Sequence, residues 1–200
     1  DARNGEVVAM TSLPDFDPNE GGNARDNQRF NRATLGVYEL GSTFKIFTAA
    51  MALDYGIVTM RDGYDATKPI KISRFTIRDY HAQRRWLSVP EIFMYSSNIG
   101  AAKMAEAVGS EGQREFLSRL GMLRPASIEL PEVGSPMVPS PWRPINTMTI
   151  SFGHGLAVSP LQLASGVAAM VNGGVFHKPT LIRRDGKKTP QGKRIISERT

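Results

Sequence analysis

The sequence contains no cysteine. Thiol nucleophiles, thiolate-bound zinc and disulfide cross-links are therefore excluded, while redox compartment is left open. Histidine is scarce: His81, His154 and His177 are scattered, with no pair at metal-ligand spacing. Each reads as a structural or surface residue, and neither a metal nor another cofactor is expected. No run of 18 uncharged apolar residues occurs; the best stretch, Ile46 to Leu53, is cut at Asp54. Neither a membrane-spanning helix nor a secretory signal is read in these residues. A basic stripe with interleaved aromatics is missing as well. The net charge is +6, but its densest cluster, Arg183-Arg184-Asp185-Gly186-Lys187-Lys188, is glycine-bearing and loop-like, so no nucleic-acid partner is expected. A solvated surface that keeps the domain soluble is the plain reading of the charge.

What remains is an ordinary globular composition, 40% hydrophobic and 22% charged over 200 residues, enough for one domain with a sizeable core. Within it, Ser42-Thr43-Phe44-Lys45 opens an apolar helical pattern that continues through Phe47, Ala50, Met51 and Leu53. Three residues apart on a helix, the Lys45 amine shares a face with the Ser42 hydroxyl, which is a poor nucleophile until a base takes its proton. With 15 serines and eight lysines, about half a Ser-x-x-Lys match arises by chance, so the tetrapeptide alone is weak evidence. On its own it reads more readily as a helix N-cap followed by a solvated lysine. Ser96-Ser97-Asn98, the single Ser-x-Asn of the chain, opens a second helical run. It offers a proton relay and an amide, the groups an acyl-transfer site still needs.

Longer segments carry a resemblance. Tyr38 to Lys45 (YELGSTFK) resembles the active-site serine motif of penicillin-binding proteins, whose superfamily is marked by Ser-x-x-Lys, Ser-Asp-Asn and Lys-Thr-Gly. In the family's order, Asp1 to Pro18 resembles the strand and turn that open the catalytic sheet. Tyr95 to Gly100 (YSSNIG) resembles the second motif of the division-specific, monofunctional class B members. Ile150 to Ala164 (ISFGHGLAVSPLQLA) resembles the glycine-rich turn and following helix of that group. Leu40 and Ile46 stand where class B members usually or often carry proline, which touches only flanking positions. A larger departure is that no Lys-Thr-Gly or Lys-Ser-Gly occurs; Lys188-Thr189 is followed by Pro190 in a basic, polar turn.

The resemblance implies a penicillin-binding, serine β-lactamase-like α/β (α+β) fold, an antiparallel sheet flanked by helices with a helical subdomain. Residues 1–200 are then expected to be part of a transpeptidase domain, without the Lys-Thr-Gly strand, the membrane anchor or the pedestal. It further implies a peptidoglycan D,D-transpeptidase on the periplasmic face of the bacterial inner membrane, acting in septal synthesis. Stem peptides ending in D-alanyl-D-alanine would be its substrate and β-lactams its covalent ligands, with divisome proteins and a glycosyltransferase as partners. Ser42 would be the nucleophile, Lys45 the base, Ser96 the proton relay, and Asn98 the group that orients the substrate amide. Because the Lys-Thr-Gly strand would complete the oxyanion hole, the 200 residues alone are expected to acylate poorly. The rival readings are a serine β-lactamase, for which Glu129 and Glu132 lie in a suitable-looking loop without a Glu-x-x-x-Asn pattern, a β-lactam sensor, and a non-catalytic assembly module.

Periodicity and punctuation predict the organisation. Strands are expected at Glu6 to Thr11, in one or two pieces between Ile70 and Tyr80, and at 176–183 and 193–196. Helices are expected at 42–55, 88–95, 97–108, 111–120 and 159–171, with glycine stops at Gly56, Gly109, Gly121 and Gly173. Gly21 to Arg32 reads as an exposed polar loop, and Pro125 to Pro144, with six prolines, as a long surface connection. Phe44, Phe47 and Met51, like Met104 and Val108, read as core. Gly153 and Gly155 mark either a tight backbone path beside the site or a plain turn.

Overall fold

Helices carry most of the regular structure: α1 (Asp26–Arg29), α2 (Lys45–Asp54), α3 (Val89–Met94), α4 (Asn98–Val108), α5 (Ser110–Arg119), α6 (Pro144–Ile150) and α7 (Pro160–Val171). They are seen in a computed structural model that describes residues 1–183 and 191–200. The strands are short and pair antiparallel two by two: β1 (Gly63–Asp65) with β4 (Trp86–Ser88), β2 (Ile70–Ile72) with β3 (Phe75–Ile77), and β5 (Val175–Phe176) with β6 (Lys193–Arg194). The result is a mixed α/β fold.

Serine hydroxyls set the starts of three helices. Ser88, Ser97 and Ser159 accept from the backbone N–H groups of Glu91, Gly100 and Gln162, at the heads of α3, α4 and α7. Each cap satisfies a donor the helix cannot satisfy itself, worth about 1 kcal/mol. Gly109, at φ +87°, ends α4 and lets α5 begin at the next residue.

α2 is the organising helix. Phe44, Phe47, Met51 and Ala52 are all but sealed from solvent, and the Phe44 and Phe47 rings meet edge to face at 5.3 Å. One side of α2 joins Phe116, Leu120, Met122, Ile150, Leu156 and Ala169 in the larger core. Its other side joins Leu87, Val89, Ile92, Ile99 and Met104, which tie α3, α4, β1 and β4 together. Two apolar clusters thus grip one helix, and the functional groups sit at its N-terminal end.

Several expectations need correction. The Gly21 to Arg32 segment is not plain loop: a 3₁₀ helix at Pro18–Asn23 and the short α1 occupy it. Glu6 to Thr11 forms no ladder; a parallel bridge joins Glu6 to Thr180, and beyond it no strand pairs with the run among the described residues. The strand expected at 176–183 is held to β5, and that at 193–196 to β6. β1, β4 and α6 were not expected. In α6 the threonines and isoleucines give weak helix propensity, but Pro144 at the first turn and the Asn146 side chain accepting from the Arg143 N–H start the helix. The Lys188-Thr189-Pro190 turn and the lysines of the basic cluster lie outside the described residues.

Candidate active site

The nucleophile segment begins with a glycine in the left-handed region, Gly41 at φ +57°, and runs through a single 3₁₀ turn, Gly41–Phe44, into α2. In 3₁₀ geometry, residues i and i+3 eclipse one another, which suits the Ser-x-x-Lys spacing better than an α-turn would. Lys45 Nζ lies 3.1 Å from Ser42 Oγ. Far from being solvated, Lys45 is 3% exposed, while Ser42 remains open to solvent.

The second half of the site comes from the α3–α4 junction. Ser96 lies just past the end of α3 at φ +53°, a left-handed conformation that costs a non-glycine residue about 1 kcal/mol or more. The Ser96 and Ser97 N–H groups donate to the Phe93 and Ile92 carbonyls, and Ser97 turns at once to cap α4. This kink presents three acceptors to Lys45 Nζ: Ser96 O at 2.5 Å, Ser96 Oγ at 2.8 Å and Asn98 Oδ1 at 2.7 Å. All four residues singled out in the sequence therefore meet at one amine.

The proton inventory of that amine is informative. Ser96 O and Asn98 Oδ1 can only accept, so they take both N–H groups of a neutral amine. Its lone pair is then left for a hydroxyl, Ser42 Oγ–H or Ser96 Oγ–H. Burial pushes the Lys45 ammonium down to about 8, and the Asp79 carboxylate resists that change. The neutral form is thus accessible near neutral pH, which an ordinary lysine at about 10.4 does not allow. Asn98 is expected to face the substrate, but its amide also works inside the protein, its Nδ2 donating to the Arg78 carbonyl at 2.9 Å.

Three further residues shape the site, and of these Asp79 and Glu39 were given no role from the sequence. Asp79 accepts from Ser97 Oγ at 2.8 Å and from the Ile99 N–H at 2.9 Å, fastening the segment after β3 to the start of α4. Gly153, at φ +82°, lies so close to Gly41 that a Cβ there would fall 2.1 Å from the Gly41 carbonyl oxygen, and the Gly41 N–H donates to Gly153 O. Of the two readings of the SFGHG turn, the path beside the nucleophile is the one observed. Glu39 ties the same turn down, accepting from the Gly155 N–H at 2.7 Å and lying 3.2 Å from His154 Nδ1; these two contacts hold its carboxyl below the usual range. Polar residues near the motifs were the available signal, but their partners lie far off in the sequence.

The comparison with protein families is decisive here: a model of the penicillin-binding protein transpeptidase domain matches residues 1–200. The chain belongs to that family. Among curated relatives, the probable peptidoglycan D,D-transpeptidase FtsI of Caulobacter vibrioides is 43% identical over 196 residues, 98% of this chain and 33% of that protein. The probable peptidoglycan D,D-transpeptidase PenA of Neisseria gonorrhoeae is 37% identical, over 100% of this chain and 34% of its own length. The chain thus spans about a third of the curated relatives it matches. Among solved structures, the transpeptidase domain of penicillin-binding protein 3 from Burkholderia pseudomallei superposes with a TM-score of 0.86 at 27% identity, covering 100% of this chain and 56% of that one. Among the described residues, no cluster of three or more His, Asp or Glu side chains could hold a metal ion. No helix among them is long and apolar enough to cross a membrane.

Proposed function

We propose that this penicillin-binding domain catalyses peptidoglycan D,D-transpeptidation through a serine acyl-enzyme. Ser42 Oγ attacks the carbonyl carbon of the penultimate D-alanine in a stem peptide as Lys45 takes the hydroxyl proton. An ester bond forms to Ser42, the C–N bond to the terminal D-alanine breaks, and Ser96 Oγ hands a proton on to the leaving amine. An amine of a second stem then attacks the ester and restores the Ser42 hydroxyl, leaving the two stems cross-linked. Asn98 positions the substrate amide with the N–H it does not give to Arg78. β-Lactams enter as mimics of the D-alanyl-D-alanine end and remain as the ester.

The observation that carries this reading is the buried Lys45 amine, within hydrogen-bond reach of Ser42, Ser96 and Asn98 together. A hydrolytic, β-lactamase-like variant would need a carboxylate base beside the ester. Glu129 instead accepts from Thr180 Oγ1 and the Leu181 N–H, which favours cross-linking. YSSNIG supports a septal role, with the domain on the periplasmic side of the inner membrane alongside divisome proteins and a glycosyltransferase.

The test is labelling of the intact protein with a fluorescent penicillin. Ser42→Ala is expected to lose all stoichiometric labelling, and Asn98→Ala to slow it by about a hundred-fold. Undiminished labelling in Ser42→Ala overturns the assignment.

A further inference from the structure

The α3–α4 junction is a poor place to put a reactive group without help. Ser96 holds a left-handed backbone, is exposed, and is followed directly by the first residues of a new helix. Something must hold this kink in the arrangement that aims Ser96 and Asn98 at Lys45. The structure supplies it from the segment that follows β3. One oxygen of Asp79 accepts from Ser97 Oγ and the other from the Ile99 N–H, while Asn98 Nδ2 donates to the carbonyl of the preceding residue, Arg78. Ser97 is 1% exposed, so its bond to the carboxylate is shielded from competing water. Three successive residues after Ser96 are thus pinned by two residues of one loop.

We propose that Asp79 is a positioning residue of this site: its carboxylate fixes the turn that points Ser96 and Asn98 at Lys45. The same carboxylate adds a negative field at the buried amine. This rests on the reading of Lys45 as the base. The side chains around the Lys45 stem, Val89, Ile92 and Phe93 from α3 and Ala101 and Met104 from α4, are uncharged. On the nucleophile turn itself, Ser42 and Thr43 are neutral, and Glu39 is turned to Gly155 and His154. Among the described residues, Asp79 is the charged group whose field reaches Lys45.

The sign of the effect follows. A negative charge near an ammonium stabilises the protonated form, so Asp79 keeps the amine protonated to higher pH than burial alone would. Removing the charge while keeping the hydrogen bonds should let Lys45 act as a base at lower pH. Removing both should also release the junction. Asparagine does the first, because its carbonyl oxygen can accept from the Ile99 N–H and its amide can donate to Ser97 Oγ. Alanine does the second.

The experiment is the second-order rate of acylation by a fluorescent penicillin, measured from pH 5.5 to 9.5 on the intact protein and its Asp79→Asn and Asp79→Ala variants, with melting temperatures alongside. In Asp79→Asn the acidic limb of the profile is expected to move about one unit toward lower pH, with a plateau within about three-fold of the parent. In Asp79→Ala the same shift is expected with a plateau lowered by about 10- to 100-fold. The proposal is overturned if Asp79→Asn keeps the parental limb. It is also overturned if Asp79→Ala acylates at the parental rate while Asp79→Asn does, or if Asp79→Ala fails to fold and Asp79→Asn shows no shift. Loss of labelling in Ser42→Ala alongside unaltered Asp79 profiles would sink this inference and leave the acyl-enzyme reading standing.

Discussion

The seam between α2 and α4 and the N-terminal segment, residues 1–16, are built on opposite terms. At the seam a buried cation has each neighbour satisfied: Lys45 meets Ser42, Ser96 and Asn98, and Asp79 holds the turn that presents the last two. Apolar packing closes beneath it, with Ile99, Ala102 and Met104 at 2%, 0% and 1% exposure. The N-terminal segment is fastened by isolated bonds: Asn172 Nδ2 to Ala2 O, the Ser12 hydroxyl between Phe30 O and the Arg32 N–H, and the backbone pair Val7 N–H to Thr180 O and Thr180 N–H to Gly5 O. Even so, Val8 is 82% and Leu13 64% exposed, and an apolar cavity of about 560 Å³ opens between this segment and α7, lined in part by Val7, Met10, Leu161 and Ala164. A polar site is thus the better-determined region and an apolar stretch the worse. Buried polar groups must find partners or cost several kcal/mol, so their arrangement is fixed; exposed apolar groups carry no such demand.

The largest effect that would break this comparison is at Lys45 itself. Lys45→Met keeps the stem and removes the amine, and acylation is expected to fall by at least about a thousand-fold. In the parent, the rate should climb with pH through about 8, where the amine becomes neutral. Stability carries the same signature. With the folded-state value depressed below the unfolded one, the unfolded chain binds more protons between about 8 and 10.5, so Lys45 makes stability rise with pH across that window. The rise amounts to about 3 kcal/mol and should disappear in Lys45→Met. Urea midpoints at pH 7.5 and 10 check it. Equal pH slopes in parent and variant would mean the amine is not desolvated, and the contrast between seam and segment would lose its basis.

How much of this was legible in the residues follows from where each partner sits. Ser42 and Lys45 are three positions apart, so local helical geometry suffices to bring them together. Lys45 reaches Ser96 and Asn98 across 51 and 53 residues, and no spacing rule connects them; resemblance to a family did. Asp79 belongs to no motif, and its link to Ser97 is made by the way β3 delivers the following loop. Helix starts were readable because Ser88 and Ser159 are followed three residues on by Glu91 and Gln162, whose side chains close capping boxes. The strand expected at Glu6 to Thr11 failed for the complementary reason: alternation describes a run that can pair, while pairing needs a neighbour, and a single bridge to Thr180 is what it has. The prolines from 125 to 144 hid α6 because the last of them starts a helix rather than ending a loop.

A smaller but sharper probe of the seam is Gly153→Ala. The residue lies at φ +82°, and the added Cβ would meet the Gly41 carbonyl oxygen at 2.1 Å and the Gly41 nitrogen at 2.5 Å, both backbone atoms that cannot swing aside. The nucleophile turn must shift, and a shift of about 1 Å in a reacting group costs about a hundred-fold in rate. Acylation should fall by that order, with a stability loss of about 1–3 kcal/mol from the strained backbone. Ser12→Ala in the N-terminal segment removes a hydrogen bond to the Phe30 carbonyl and one from the Arg32 N–H but should leave acylation unchanged. Parental acylation kinetics in Gly153→Ala would show that the contact with the SFGHG turn does not set the position of Ser42.

The smallest expected effect tests the other pole. Val8 keeps 82% of its surface in contact with water, so Val8→Ser removes almost no burial. Surface substitutions of this kind stay within about 0.5 kcal/mol, which in a domain of this size moves the melting midpoint by about 1–2 °C. Labelling by a fluorescent penicillin should be unaltered, because no hydrogen bond of the Lys45 cluster runs through the segment. The sign of any departure is diagnostic. A loss above about 1 kcal/mol in the intact protein would mean that Val8 is covered there, since a valine buried on folding contributes about 1.5–3 kcal/mol and an exposed one close to nothing. The contrast between a closed seam and an open segment would then belong to these 200 residues and not to the intact protein.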